Sequence, residues 1–164
     1  MERSLLIKNG TVVKDNLISK ADILVESGII SKVAPSISCE GCEVVDASGL
    51  LVLPGLIDAH THYHLVSRGT VTADSFIEGS RLAAFGGVTT VVDFADHNKN
   101  KTLLESTKDR LEEMKPMVID YSLHQGVYGY NSHIPCEMEE LKAFGVKTLK
   151  IFTTYRNVGY LIEN

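Results

Sequence analysis

No stretch of this sequence approaches the ~18 consecutive apolar residues of a membrane span. The first apolar run, Leu5-Leu6-Ile7, is cut off by Lys8 and Asn9, too soon for the apolar core of a secretory leader. Basic clusters are missing as well. The 16 Lys and Arg residues are scattered and outnumbered by 21 Asp and Glu, leaving a net charge of −5 and no electrostatic footprint for a phosphate backbone. Neither a membrane nor a nucleic acid is therefore an expected partner, and the cytoplasm is the expected compartment. Cysteine is scarce and odd in number, at three, which argues against a secreted disulfide framework. Cys39 and Cys42 form a Cys-x-x-Cys pair, but a lone pair supplies only two of the ~four ligands of a structural zinc. It also does not open a thioredoxin-like helix. Two loop thiols are the expectation there.

What is present is the composition of a soluble globular protein, 44% hydrophobic and 23% charged. The first fifty-odd residues read as short strands and turns. Ser4 to Lys8 precedes Asn9-Gly10, a strong hairpin signal, and Thr11-Val12-Val13 follows. Asp22 to Val25 and Ile29 to Val33 flank a turn at Ser27-Gly28, and Glu43 to Asp46 is another short strand. This is part of a small all-β module, a β-sandwich that needs partner strands to bury its core.

From Leu50 the pattern changes. Leu50 to Ile57 is apolar except at Pro54 and Gly55, as for a strand buried on both faces. Helix patterns follow at Ser75 to Phe85, at Thr102 to Lys115 with a Thr102/Glu105 capping box, and at Pro135 to Phe144 with Gly145 as its stop. Strand patterns lie at Val88 to Phe94, Met117 to Leu123 and Val146 to Phe152. Strands recurring roughly every 30 residues with helices between them are βα units of a parallel sheet. The expected fold class is therefore α/β: residues 1–52 as part of a small β-sandwich domain, then residues 53–164 as about four units, the first half of a (β/α)₈ TIM barrel. Such a barrel needs ~250 residues. A half barrel leaves two open apolar edges, so a chain ending at Asn164 reads as cut short.

The residues that carry chemistry stand at expected strand ends. Asp58-Ala59-His60-Thr61-His62 follows the first barrel strand, and in an extended chain residues two apart share a side, so both imidazoles can face one ion. Neutral imidazole suits Zn²⁺ and similar ions, and the strand end is where such barrels hold their catalytic groups. The plainer alternative is a pair of polar loop residues. His64 continues the alternation as a residue of the mouth. Lys150 lies in Thr148-Leu149-Lys150-Ile151-Phe152, an apolar fourth strand. Burial without a partner favours its neutral amine, a nucleophile able to take up CO₂ as a carbamate and so offer an anionic oxygen ligand. A lysine reaching its ammonium out of the barrel mouth is an equal alternative. His124 ends the third strand and is able to approach the site, whereas His97 and His133 read as solvated loop residues.

Three blocks, Gly-Leu-Ile-Asp-Ala-His-Thr-His, then Ala-Ala-Phe-Gly-Gly-Val-Thr-Thr-Val-Val-Asp-Phe-Ala (residues 83–95), then Leu-Lys-Ile-Phe-Thr-Thr-Tyr, resemble the D-hydantoinases and dihydropyrimidinases of the amidohydrolase superfamily. The blocks keep the family's order and spacing and cover essentially the whole chain, which matches the family's amino-terminal part. The resemblance implies that His60 and His62 bind one of two divalent metal ions, zinc by the family's pattern. It implies that Lys150 bridges both ions as N6-carboxylysine, through a CO₂-derived carbamate, and that Tyr155 donates a hydrogen bond to the oxyanion of the attacked amide. The implied reaction is metal-dependent hydrolysis of a cyclic amide or imide, a dihydropyrimidine or hydantoin ring opening to an N-carbamoyl amino acid. The implied partner is that small cyclic amide, in a homo-oligomer, a tetramer in full-length members. The remaining metal ligands and the general-base aspartate would lie on later strands, so this chain alone is expected to be inactive. Dihydroorotase-like and allantoinase-like readings stand beside this one. The dihydroorotase pattern has an arginine where this sequence has His64. A non-catalytic dihydropyrimidinase-like assembly protein is the alternative of a different class.

Overall fold

The computed structural model describes residues 4–67, 69–155 and 160–162; the chain end at residue 164 lies outside them. The chain divides into two compact units, Met1–Pro54 and Gly55–Asn164.

The first unit is a mixed sheet. Strand β1 (Leu5–Lys14) pairs antiparallel with β2 (Leu17–Glu26), and β2 with β3 (Ile29–Ala34); β4 (Glu43–Asp46) and β5 (Leu51–Val52) both run parallel to β1. The hairpin turn is not at Asn9-Gly10. It falls at Asp15 and Asn16, whose φ values of 50° and 65° suit a tight hairpin. Asn9-Gly10 is instead a bulge inside β1, where the register with β2 shifts between Ile7 and Gly10. Distant contacts hold it there. A Cβ on Gly10 would come 2.6 Å from Val52 Cγ2, and Asn9 donates from its backbone to Asp22 and from its side chain to Asp46, each at 2.9 Å. Asp22 is buried and also accepts the Ile37 amide at 2.9 Å; these two backbone donors, Asn9 first, hold its carboxyl below the usual carboxylate range. The second expected turn does lie at Ser27-Gly28, both at positive φ. Cys39 and Cys42 are not free thiols. The turn through Gly41 brings their Cα atoms to 5.8 Å and they are joined as a disulfide, leaving Cys136 as the free cysteine.

In the second unit four parallel strands form one sheet in the order β6 (Leu56–Asp58), β9 (Val88–Ala95), β10 (Asp120–Gly126), β11 (Leu149–Lys150). Between β6 and β9 come a short antiparallel pair, β7 (Val66–Ser67) and β8 (Thr70–Val71), and helix α1 (Phe76–Phe85). Helix α2 (Leu103–Met114) follows β9, and α3 (Ile134–Phe144) follows β10. The helices begin and end for local reasons. Ser75 caps α1 by accepting the Glu78 amide, Thr102 and Glu105 close both bonds of a capping box on α2, and Gly145 ends α3 at φ 117°. Two apolar clusters weld helices to sheet: Phe76, Val91, Ala95, Met114, Met117 and Leu123 in one, Leu103, Val127, Ile134, Leu141 and Val146 in the other.

The sheet corrects three strand expectations. Leu50 to Ile57 is not one buried strand: Pro54 and Gly55 divide it into β5 of the first unit and β6 of the second. Strand β6 is exposed throughout, Ile57 to 67%, because only β9 flanks it. The third strand starts at Asp120 rather than Met117, whose amide still bonds the end of α2 at Met114. The fourth is only Leu149–Lys150, the opposite edge. Among the described residues no helix is long and apolar enough to cross a membrane.

Candidate metal and substrate site

Beyond Asp58 the chain crosses the end of β9. Asp58 accepts the His60 amide at 3.1 Å, and the Thr61 amide donates to Val92 O at 3.2 Å. That path brings His60 and His62 together as their spacing predicts. Their ring centres are 5.2 Å apart, and both rings rest on Phe94 of β9, at 4.7 and 4.6 Å. The spacing fits a shared ion: two imidazoles bound through one nitrogen each to a tetrahedral zinc at ~2 Å have ring centres about 5 Å apart. Burial lowers the His62 pKa, against the opposing charge of Asp93, and so favours the neutral ring that a metal requires.

Lys150 and Tyr155 face the same space. With His62 they line a cavity of about 500 Å³, walled on one side by Phe94, Phe152 and Tyr160. The Lys150 ammonium lies 5.0 Å from the Phe152 ring centre and 6.0 Å from that of Phe94. It is half-buried rather than buried as expected, because β11 is an edge strand. Tyr155 is 53% exposed, sits at φ 64°, and packs edge-on against Phe152 at 5.7 Å. Deeper in the wall the Tyr128 hydroxyl donates to Asp96; burial and then that bond push its pKa up, so it stays a hydrogen-bond donor.

No family model matches the chain. Individual proteins do. It is 42% identical over 157 residues to a dihydropyrimidinase of Dictyostelium discoideum, covering 94% of this chain and 31% of that protein. It is 37% identical to a D-hydantoinase of Geobacillus stearothermophilus, over 93% of this chain and 33% of the relative. The crystal structure of a dihydropyrimidinase from Brevibacillus agri superposes with a TM-score of 0.91 at 36% identity, over 98% of this chain and 35% of that one. The chain is thus similar to dihydropyrimidinases and D-hydantoinases over nearly its whole length. The chain spans about a third of the length of these relatives, 31% of the Dictyostelium protein.

Beside the His60/His62 pair, the other histidines take different places. His124 is tied at both ring nitrogens, Nε2 to Ala59 O at 3.0 Å and Nδ1 to Thr148 Oγ1 at 2.6 Å. With Nε2 donating to the carbonyl, Nδ1 accepts from the hydroxyl, and neither nitrogen is left for an ion. His97 is not simply solvated: its Nδ1 accepts the Tyr128 amide at 3.1 Å, and burial lowers its pKa. His133 is exposed at the start of α3, and His64, at φ 47°, turns toward Phe76, 5.9 Å between ring centres. Among the described residues no group of three or more His, Cys, Asp or Glu could hold a metal. The donor set therefore fits a metal only as far as the His60/His62 pair.

Sequence reasoning missed Asp93 and Arg110. Asp93 is fully buried and ion-paired to Arg110 at 2.7 Å. The signal was a lone acid inside the β-branched run Val91-Val92-Asp93-Phe94, where an unpartnered carboxylate would be costly.

Proposed function

We propose that this chain supplies part of the active site of a metal-dependent cyclic amidohydrolase, which opens dihydropyrimidine or hydantoin rings to N-carbamoyl amino acids. The observation carrying this reading is the single cavity lined by His62, Lys150 and Tyr155, with His60 beside His62. In this reading the four parallel strands of the second unit are the opening part of a (β/α)₈ barrel. His60 and His62 would hold one zinc ion, and Lys150, as a carbamate, would offer an oxygen ligand to two. Bound zinc would supply Lewis-acid polarisation of the ring carbonyl and lower the pKa of a water molecule. Tyr155 would donate a hydrogen bond from its hydroxyl to the oxygen that gains charge as the amide is attacked. The aromatic wall would receive the flat face of the ring and exclude water.

The test is a spliced enzyme, with residues 1–164 replacing the matching third of the Geobacillus D-hydantoinase. The expected result is hydantoin ring opening that His60→Ala or Lys150→Ala abolishes. A folded, zinc-loaded hybrid indifferent to both substitutions would sink the proposal. For the 164-residue chain by itself a second reading, a non-catalytic assembly protein, is favoured by one observation. The described residues hold no three-donor group beyond the histidine pair, while Leu56, Ile57 and Ile151 on and beside the edge strands stand exposed. Stoichiometric zinc and turnover by the purified chain would exclude it.

A further inference from the structure

The carboxylate of Asp93 reaches both neighbours of His62. Its Oδ2 accepts the Thr61 hydroxyl at 3.1 Å and the Tyr63 amide at 2.8 Å. Its Oδ1 accepts Arg110 Nη2 at 2.7 Å and the Phe94 amide at 2.7 Å. The same Nη2 donates to Tyr63 O at 2.6 Å, so the amide and the carbonyl of Tyr63 are both held. Arg110 is itself fixed by Glu113 at 3.0 Å and by the Phe76 ring at 4.7 Å, which ties the assembly to α2 and α1. Gly79 completes the fit, since a Cβ there would overlap the Tyr63 ring.

We propose that Asp93, backed by Arg110, is the positioning residue for the His60/His62 pair. It holds the Thr61 side chain on one side of His62 and the Tyr63 backbone on the other, and thereby the direction in which the two imidazoles face. The proposal rests on reading that pair as metal-holding, but the anchoring needs no metal. A carboxylate is required by the donor count: each oxygen faces two donors, and an asparagine would turn two more N–H bonds toward one of those pairs whichever way it flipped. A carboxylate that served only to bind α2 to the sheet would need Arg110 alone. Two of its four bonds go instead to the segment that carries the imidazoles. Outer partners of this kind set ligand orientation and metal affinity in metalloproteins generally.

The test uses the metal-free ¹⁵N-labelled chain, reading imidazole ring signals and Tyr63 amide exchange, followed by zinc titration. Asp93→Asn is expected to shift or broaden the His62 ring signals and to speed Tyr63 exchange by about tenfold, the scale of one lost hydrogen bond to a charged group. Thr61→Val, which leaves the ion pair intact, is expected to move the same ring signals with the unfolding midpoint nearly unchanged. Thr61→Ser, which keeps the hydroxyl, should match the unaltered chain. Zinc affinity should fall with the first two variants and not with the third. Unchanged His62 signals in folded Thr61→Val and Asp93→Asn would overturn the proposal, and should Asp93→Asn fail to fold, Thr61→Val decides. Among its described residues the unaltered chain offers only the histidine pair, so absence of zinc binding by it would return the metal reading to the spliced enzyme, while the ring signals would still decide this one.

Discussion

The ring of His62 lies stacked on that of Phe94, centroids 4.6 Å apart and planes 21° from parallel. Phe94 is 9% exposed, and the rings of His60 and His124 and the Lys150 ammonium also surround it. One side chain of β9 is therefore the floor on which groups from three other strands and their ends converge. Phe94→Ala is expected to cost about 3–5 kcal/mol, the range for emptying a buried aromatic site. Urea denaturation should show it, with zinc affinity falling as the imidazoles lose their support. Phe94→Leu, which retains most of the volume, should recover much of the stability and less of the zinc affinity.

Gly10 offers a test of how tertiary contacts override a turn signal. Gly10→Ala would drive a methyl to 2.6 Å from Val52 Cγ2, and either that side chain or the β5 backbone must move. The expected loss is about 1–3 kcal/mol, as for overpacking elsewhere, read as a lowered unfolding midpoint. An unchanged midpoint would mean that β5 is loosely held.

What was legible in the sequence followed from how local each cause is. The capping box of α2 joins Thr102 to Glu105, and the start and stop of α3 lie at Pro135 and Gly145, so short windows contain the whole reason. Asn9-Gly10 misled because its fate is set by Asp22, Asp46 and Val52, far along the chain. The His60/His62 convergence was legible because it needs only the two-residue period of an extended chain. The Asp93–Arg110 pair was not, since its 17-residue separation has no helical or strand period to betray it. The burial expected for Leu56, Ile57 and Lys150 assumed neighbours on both sides, and β6 and β11 are the two edges of their sheet.

Stability should depend on pH through His97 and His62, whose pKa values burial lowers from an ordinary 6.5. For His97, Glu137 opposes that effect and Lys99 adds to it. The folded state then binds fewer protons than the unfolded one across the window between the lowered value and 6.5. Stability contributed by the neutral ring is full above that window and lost as pH falls through it. Protonation of His97 Nδ1 would also turn a proton toward the Tyr128 amide it now accepts. Urea midpoints should be level above about pH 7 and decline toward pH 5. His97→Asn should flatten part of the decline, and an unaltered slope would remove His97 from the explanation.

The thiols give a chemical count. Alkylation of the unfolded chain without reductant should modify Cys136 alone, and prior reduction should add Cys39 and Cys42. Mass spectrometry reads this directly. Three modified thiols before reduction would show that the pair is open in solution.

Tyr155 and Lys150 line the same cavity, but their substitutions should fail in different ways. In the spliced hydantoinase, Tyr155→Phe keeps the ring that packs against Phe152 and removes only the hydroxyl. A donor that strengthens its bond as the oxyanion forms contributes to the transition state more than to substrate binding. The expected loss is therefore about 10²–10³-fold in kcat with KM little changed. Lys150→Ala should abolish turnover together with metal content, and metal analysis separates the two cases. Were Tyr155→Phe to raise KM and leave kcat intact, the tyrosine would be part of the wall that holds the ring and not a participant in the reaction.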